Sequence, residues 1–366
     1  MAGIELWTPH ELFMLREDER NTPLPSWFLD TFFTQTYFSQ DDEIRFGDLP
    51  ETDRYLAPFV LPYEQGKPLA RRRSEKISAF APPYIKLKNA VRPEDAKNLT
   101  PSEIFRNGGR RPSLIERFDA RVAQLTYDHL RAIRLREIWM AARGFIDGKV
   151  QIDYDRDQGA DNPSVLLDFG RDPGHTIVKT GGYWDDPDAD ILGDVEAWMT
   201  RQYLANGGGS ASMLVVGAQV APVFRKNKAI KEALDTNFRG NNSVEIDLGI
   251  LRTERPLNRI GQLANGLEVY TYKDTIDIPN GDGTKTKVDL FNEKDVLLIA
   301  PGANGVRAYG AIYDVDAIDS GEALSTDIFG KMFKTQDPGE LYVMHQSSPL
   351  PIPLYPNRTL KARVLA

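Results

Sequence analysis

The chain has 366 residues, no cysteine, and 45 basic against 53 acidic side chains, a formal net charge of −8. That length suits two or three packed units, and 41% hydrophobic with 10% aromatic residues is enough to bury a core. The missing cysteine excludes disulfides, thiolate zinc sites, iron–sulfur clusters and a cysteine nucleophile, and the acidic balance argues against nucleic-acid binding through bulk charge.

The opening run MAGIELWTPHELFMLREDER lacks the basic start, apolar run and small-residue cleavage site of a signal peptide, and no segment approaches 18 consecutive apolar residues. A soluble protein made in a cytosol, without a membrane partner, is expected. Residues 1–40 read as an arm. Thr8 and Pro9 open a short helix through Leu15, Pro23 and Pro25 break the chain, and Ser26 caps a second helix carrying Trp27, Phe28, Leu29, Phe32 and Phe33. Two readings of these aromatics stand side by side: a helix docked on its own domain, or an arm packed on a neighbouring subunit.

Residues 43–92 alternate and are rich in proline. Strand-like runs at about 54–66 and 76–91 flank a polar tip, a long hairpin with edge-strand prolines at Pro58, Pro62, Pro82 and Pro83. From Lys67 to Lys88 the chain holds Lys67, Arg71, Arg72, Arg73, Lys76, Lys86 and Lys88 against Glu75 alone. A solvated tip, a phosphate-binding patch and a basic arm reaching an acidic partner surface all fit that composition.

Residues 112–146 form the clearest element. Leu114, Phe118, Val122, Leu125, His129, Ala132, Leu135, Trp139 and Ala142 recur at steps of three and four. That spacing predicts one helical face over about nine turns, roughly 50 Å long. Ser113 and Pro112 mark its start, and Gly144 and Gly148 are stop signals. His129, inside the stripe, reads as a packed, hydrogen-bonded side chain.

Strand runs KVQIDYD and SVLLDFG follow as a hairpin or meander, then HTIVKT, then a helix over about 187–205 closed by Asn206 and three glycines. SMLVVG reads as a short buried strand and APVFRKNKAIKEALDTNFRG as a second helix ending near Gly240. From 244 the pattern is strand-rich: SVEIDLGIL, GLEVYTYKDTIDIP, TKTKVDLF, DVLLIAP and RAYGAIYDVDAI, with a second long hairpin turning at Asn280–Gly283. The tail ELYVMHQSSPLPIPLYPNRTLKARVLA holds three more strands.

Sites for chemistry are sparse. Asp153, Asp155, Asp157, Gly159 and Asp161 imitate the start of a calcium loop. The glycine falls one place late, however, and Ser164 stands where a bidentate glutamate is needed, so an acidic hairpin turn is expected. Asp185, Asp186, Asp188, Asp190, Asp194 and Glu196 crowd a helix start, where acidic residues interact favourably with the macrodipole. His10, His129, His175 and His345 are scattered singly, and no phosphate loop, dinucleotide fingerprint or nucleophile elbow occurs. No catalytic residue, metal or cofactor is expected. A carboxylate-based enzyme and a tail tube or connector subunit are the rival classes. Against a tail tube stands the long helix.

Several strings resemble, in order, those of the lambda-type major capsid proteins, the capsid protein E family of tailed phages. They are Trp27 to Phe33 (WFLDTFF), Phe80 to Lys88 (FAPPYIKLK), Phe224 to Gly240 (FRKNKAIKEALDTNFRG), Gly305 to Ala317 (GVRAYGAIYDVDA), Lys334 to Pro338 (KTQDP) and Gln346 to Leu350 (QSSPL). The resemblance implies an α+β, HK97-like phage capsid fold. By that analogy residues 1–42 are an N-terminal arm and 43–92 an extended hairpin loop lying over an adjacent subunit. Residues 93–184 are a peripheral domain with the spine helix 112–146, 185–325 an axial domain, and 326–366 strands returning to the peripheral domain.

The resemblance further implies a major capsid protein assembling into hexamers and pentamers of an icosahedral head around double-stranded DNA, bound without sequence specificity. A separate scaffolding protein, a cementing or decoration protein and a portal are the implied partners, with the host cytoplasm as the place of assembly and the virion capsid as the destination. Lys67, Arg71, Arg72, Arg73 and Lys76 on the loop, and Trp27, Phe28, Phe32 and Phe33 on the arm, are the expected subunit contacts. Some relatives join a lysine to an asparagine; Lys67 or Lys76 with Asn357 fit by type, but lambda-type shells rely on a cementing protein instead.

Overall fold

The computed structural model describes residues 6–9, 11–12, 14, 24, 26–39, 43–47, 77–92, 94, 113–154, 164–186, 189–230, 256–263, 266–279, 284–336 and 339–366. The strand run at 54–66, the calcium-like positions 155–161, the helix end at 231–240, the run SVEIDLGIL and the turn at 280–283 lie outside them.

Pro9, Glu11, Leu12 and Met14 are helical, as expected of the short helix opened by Thr8. The helix α1 (Trp27–Phe32) also starts where expected: Ser26 Oγ accepts from the Leu29 N–H at 3.2 Å and Asp30 accepts from the Ser26 N–H at 3.2 Å. The long helix is α2 (Leu114–Asp147). Ser113 and Glu116 form a reciprocal capping box, and Gly148 ends the helix at φ 68°. A side chain at Gly148 would also strike Arg171, 2.7 Å from the position of its Cβ. Shorter helices follow, among them α3 (Ile191–Leu204), α4 (Val220–Lys226) and α5 (Val315–Asp319).

The buried face of α2 follows the expected stripe through Phe118, Val122, Leu125 and His129, then departs from it. Ala132 is exposed, while Leu130, Ile133, Glu137, Ile138, Ala141 and Phe145 are buried. A regular helix advances 3.6 residues per turn, so two successive steps of three rotate off the face that burial follows. Glu137 escapes notice because it is charged; its carboxylate accepts from Tyr309 Oη at 2.8 Å and from Arg134 at 3.0 Å.

The main sheet has six strands in the order β7 (Thr176–Val178), β18 (Thr359–Arg363), β13 (Asp295–Ile299), β8 (Met213–Val216), β10 (Glu268–Tyr272) and β9 (Leu257–Gln262). Helices cover both of its faces. Leu214, Val216, Val296 and Leu298 pack toward α3 and α4 with Trp184 and Trp198, while Val215, Leu297 and Ile299 pack toward α1 and α2. Burial on both faces is why MLVV and VLLI are unbroken apolar runs.

Two three-stranded sheets stand beside it. β4 (Ile85–Val91), β16 (Leu341–Ser347) and β15 (Phe329–Lys334) cover the first half of α2 through Val91, Val343, Leu341 and Met332. In the other, β14 (Gly305–Tyr309) lies between β1 (Gln35–Phe38) and β17 (Pro349–Pro353). Pro349, Pro351 and Pro353 are two apart, so one side of β17 carries no N–H at these positions, as befits an edge strand. Antiparallel pairs join β5 (Lys149–Asp153) to β6 (Ser164–Asp168) and β11 (Thr275–Pro279) to β12 (Lys285–Asp289), both as expected.

Residues 326–366 divide among three sheets: β15 and β16 join β4, β17 joins β14, and β18 lies inside the six-stranded sheet, where Leu360 and Ala362 complete its core. Two expectations are corrected. The run GLEVYTYKDTIDIP is two strands, β10 and β11, in different sheets. The strand-like YDVDAI instead starts α5, because Asp314 caps it, accepting from the Asp316 N–H at 3.0 Å. β15 is a strand absent from the sequence reading.

Candidate assembly surfaces

A short ribbon brackets the basic run in the chain. β2 (Ile44–Gly47) pairs antiparallel with β3 (Ile77–Phe80), Ile44 opposite Phe80 and Gly47 opposite Ile77. Ile44 is fully buried among Leu167, Leu350 and Ile352, and the Phe80 ring lies 5.3 Å from that of Phe169. This pair holds residues 47 and 77 side by side. Lys67, Arg71, Arg72, Arg73 and Lys76 lie between, outside the described residues. Of the rest of the basic run, Lys88 stays on its own chain, its Nζ 4.0 Å from the centre of the Tyr342 ring.

The arm aromatics behave otherwise. Phe28 and Phe33 are fully buried and Phe32 nearly so, all within the core between α2 and the six-stranded sheet. Phe32 stacks on Phe145 at 4.2 Å, and Phe28 meets Tyr272 edge-on at 5.1 Å. Asp30 ties the same helix to Arg134 at 2.9 Å and Arg307 at 3.1 Å. The reading of Phe28, Phe32 and Phe33 as contacts to a neighbour is therefore corrected. One face of the sheet needs cover that α2 alone does not supply, and α1 supplies it. Trp27, half-buried against Tyr272 at 5.4 Å, is the most exposed of the four.

Four polar joints hold the elements behind these surfaces. Asp295, wholly buried on β13, accepts from Arg363 Nε at 3.0 Å and has Lys361 Nζ 3.1 Å away. Lys361 also reaches Asp147 at 2.8 Å, offsetting an acidic residue at the C-terminal end of α2. Arg171 bonds the Ile146 carbonyl and Thr176 Oγ1, and burial lowers its pKa to about 10, still cationic at neutral pH. Near α5, Lys331 donates to Asp314 and Asp316, each at 2.7 Å, and Gln346 donates to Asp314 at 2.6 Å and accepts from Tyr84 Oη. Burial raises the Asp314 carboxyl, but the bonds from Lys331 and Gln346 outweigh it and hold it below its ordinary value. That carboxylate is an ionised anchor, poorly suited to donating a proton.

The fourth joint is missed in the sequence. His129 of α2 and His345 of β16 meet in the interior, Nδ1 to Nδ1 at 3.1 Å. Such a bond requires one ring to donate and the other to accept, so both cannot be doubly protonated. Burial, then the neighbouring His129, pushes His345 down to about 3; burial also lowers His129, against the pull of Asp128. Folded pKa values below the unfolded 6.5 mean that the unfolded chain binds more protons, so stability falls as pH drops through 6.5 toward 3. One such proton costs about 1.4 kcal/mol per pH unit. Melting of the intact chain between pH 7 and 5 should show this loss, and His345→Gln should flatten it. An equal slope in both proteins would remove the assignment.

The acidic clusters act locally. Asp190 caps α3 by accepting from the Gly193 N–H at 2.9 Å, and Asp194 accepts from Trp184 Nε1 at 2.8 Å and pairs with Lys179. Asp153 ends β5. Among the described residues no group of three histidine, aspartate or glutamate side chains is placed to hold a metal ion, and no helix is long and apolar enough to cross a membrane. The Asn357 amide is engaged within its own chain, accepting from the Asp172 N–H at 2.7 Å and donating to the Asn206 carbonyl at 2.8 Å.

Proteins of known identity resemble this chain over most of its length. The major capsid protein of Escherichia phage N15 is 28% identical over 352 residues, covering 92% of this chain and 93% of that one. That of Escherichia phage lambda is 28% identical over 345 residues with the same coverage. A solved prophage protein of E. coli CFT073 superposes over 99% of this chain and 100% of its own, with a TM-score of 0.66 at 19% identity, and shares the fold. The α+β architecture is the HK97-like capsid fold. The family described as phage major capsid protein E matches residues 15–364, and the chain belongs to that family.

Proposed function

We propose that this protein is the major capsid protein of a tailed phage, and that copies of it assemble through hexamers and pentamers into an icosahedral head around double-stranded DNA. One observation carries the reading: the family match spans residues 15–364, taking in most of the arm, the hairpin, the long helix and all three large sheets together. The work of such a protein is association, without turnover. In this reading residues 1–42 are the arm, 43–92 the loop that lies over an adjacent subunit, and the six-stranded sheet is the framework of the axial unit. Lys67, Arg71, Arg72, Arg73 and Lys76 meet acidic surface on that neighbour.

Exposed ion pairs contribute roughly 0–1 kcal/mol each, so they set register while misplaced subunits can still leave. A net charge of −8 suits a wall that does not hold DNA tightly. A scaffolding protein, a cementing protein and a portal complete the set of partners, with assembly in the host cytoplasm. Electron microscopy of the purified chain, alone and with its scaffolding partner, tests the reading. Icosahedral shells or capsomers are expected. A compact monomer under both conditions, or rods or dodecameric rings, would overturn it.

A further inference from the structure

We propose that the corner built around α5 is the seat for the basic segment Lys67–Lys76 of a second copy of this chain. The inference rests on the shell reading and adds the receiving surface. Four large apolar side chains stand exposed there within twelve residues: Tyr313 at 63%, Val315 at 72%, Ile318 at 64% and Leu324 at 45%. Val315 and Ile318 are three apart on α5 and share a side of it. The Ile312 N–H bonds the Ala323 carbonyl and the Ala323 N–H bonds the Ala317 carbonyl, which folds both ends of the segment onto one corner. A clustered apolar patch of this kind marks an interaction site, where scattered exposed residues do not.

Its charge names the occupant. Residues 313–325 hold Asp314, Asp316, Asp319 and Glu322 and no lysine or arginine. Lys331 accounts for Asp314 and Asp316, and among the described residues no basic side chain pairs with Asp319 or Glu322. The segment 67–76 reads KPLARRRSEK, strongly basic with Leu69 inside it, on an otherwise acidic chain. An apolar, acidic seat and a basic segment with an apolar residue are complementary.

The shell reading, in which residues 43–92 lie over an adjacent subunit, makes the occupant another copy. β3 runs from Ile77 toward Phe80, and the chain then passes Pro82, packed at Gly310, to Tyr84, whose ring lies 5.9 Å from Tyr313. The α5 corner therefore stands at the closed end of the β2–β3 ribbon, and the ribbon's open end at Gly47 and Ile77 leads away from it.

The test uses two independent readouts on the full chain. Ile318 replaced by photoreactive benzoylphenylalanine, in assemblies mixed from isotope-labelled and unlabelled chains, should crosslink to peptides within 67–76 carrying the other label. Adducts confined to other segments, or to the same chain, would overturn the proposal. Asp319→Lys with Glu322→Lys should lower shell yield at least tenfold, and adding Arg71→Glu, Arg72→Glu and Arg73→Glu should restore most of it. Normal yield from the first pair, or no recovery in the combination, sinks the docking while leaving the shell reading in place. Failure of the unmodified chain to form shells or capsomers strikes the shell reading itself, and this proposal with it.

Discussion

Phe33→Ala lowers the stability of the chain by about 3–5 kcal/mol, the range for removing a buried aromatic ring. Phe33 is fully buried, packed edge-on to Phe145 at 6.3 Å, and its ring fills the space beside Gly305 where a Cβ would lie only 2.3 Å away. Glycine at 305 cannot reach into the void that truncation leaves, so the cavity persists and the cost stays near the upper end. The residue also closes α1, its N–H bonded to the Leu29 carbonyl, immediately before β1 pairs with β14 at Gln35 and Val306. Loosening it therefore weakens the parallel strand pair that follows. Urea or thermal unfolding of the unassembled chain reads the effect. A loss under about 1 kcal/mol would mean that α1 is not part of the intrachain core.

Reversing Arg71, Arg72 and Arg73 to glutamate abolishes shell formation and leaves the fold of the chain intact. Three adjacent sign changes turn attraction to an acidic neighbour into repulsion, and the loss is multiplied over every copy in the shell. Each exposed pair is weak, which is why the effect belongs to the run and not to a single residue. The same argument predicts that added salt slows assembly of the unmodified chain, since charges more than about 8 Å apart are screened at physiological ionic strength. Electron microscopy reads shell yield and circular dichroism reads the fold. Normal heads from the reversed chain would remove the basic run from the assembly contacts.

The candidate surfaces were unevenly legible. The basic run stands out in composition, but the strand run expected at 76–91 is broken: Pro82 and Pro83, read as edge-strand prolines, lie between β3 and β4, which belong to different sheets. The receiving surface of the basic run was not legible, because a strand pattern in YDVDAI hides a helix that exists only through the Asp314 cap and the bonds of Lys331 and Gln346 to that carboxylate. His129 and His345 read as isolated residues, being 216 apart, and nothing local signals that α2 lies against β16. The arm aromatics were visible as a group needing cover, yet the same pattern serves a neighbour or the chain's own sheet.

By itself the sequence determined what short-range physics controls. Ser113, Glu116 and Gly148 bound α2 through bonds within a single turn. Period-two alternation and turn residues mark the β5–β6 and β11–β12 hairpins, and unbroken apolar runs mark β8 and β13 as strands buried on both faces. Only the tertiary structure decided which elements meet: β18 beside β13, α1 over Phe145, His129 against His345, and Asp295 between Lys361 and Arg363. The physical reason is that hydrogen bonds and caps act across a few residues. Strand partners and buried faces are chosen by which arrangement removes the most apolar surface from water at once, and that is a property of the whole chain.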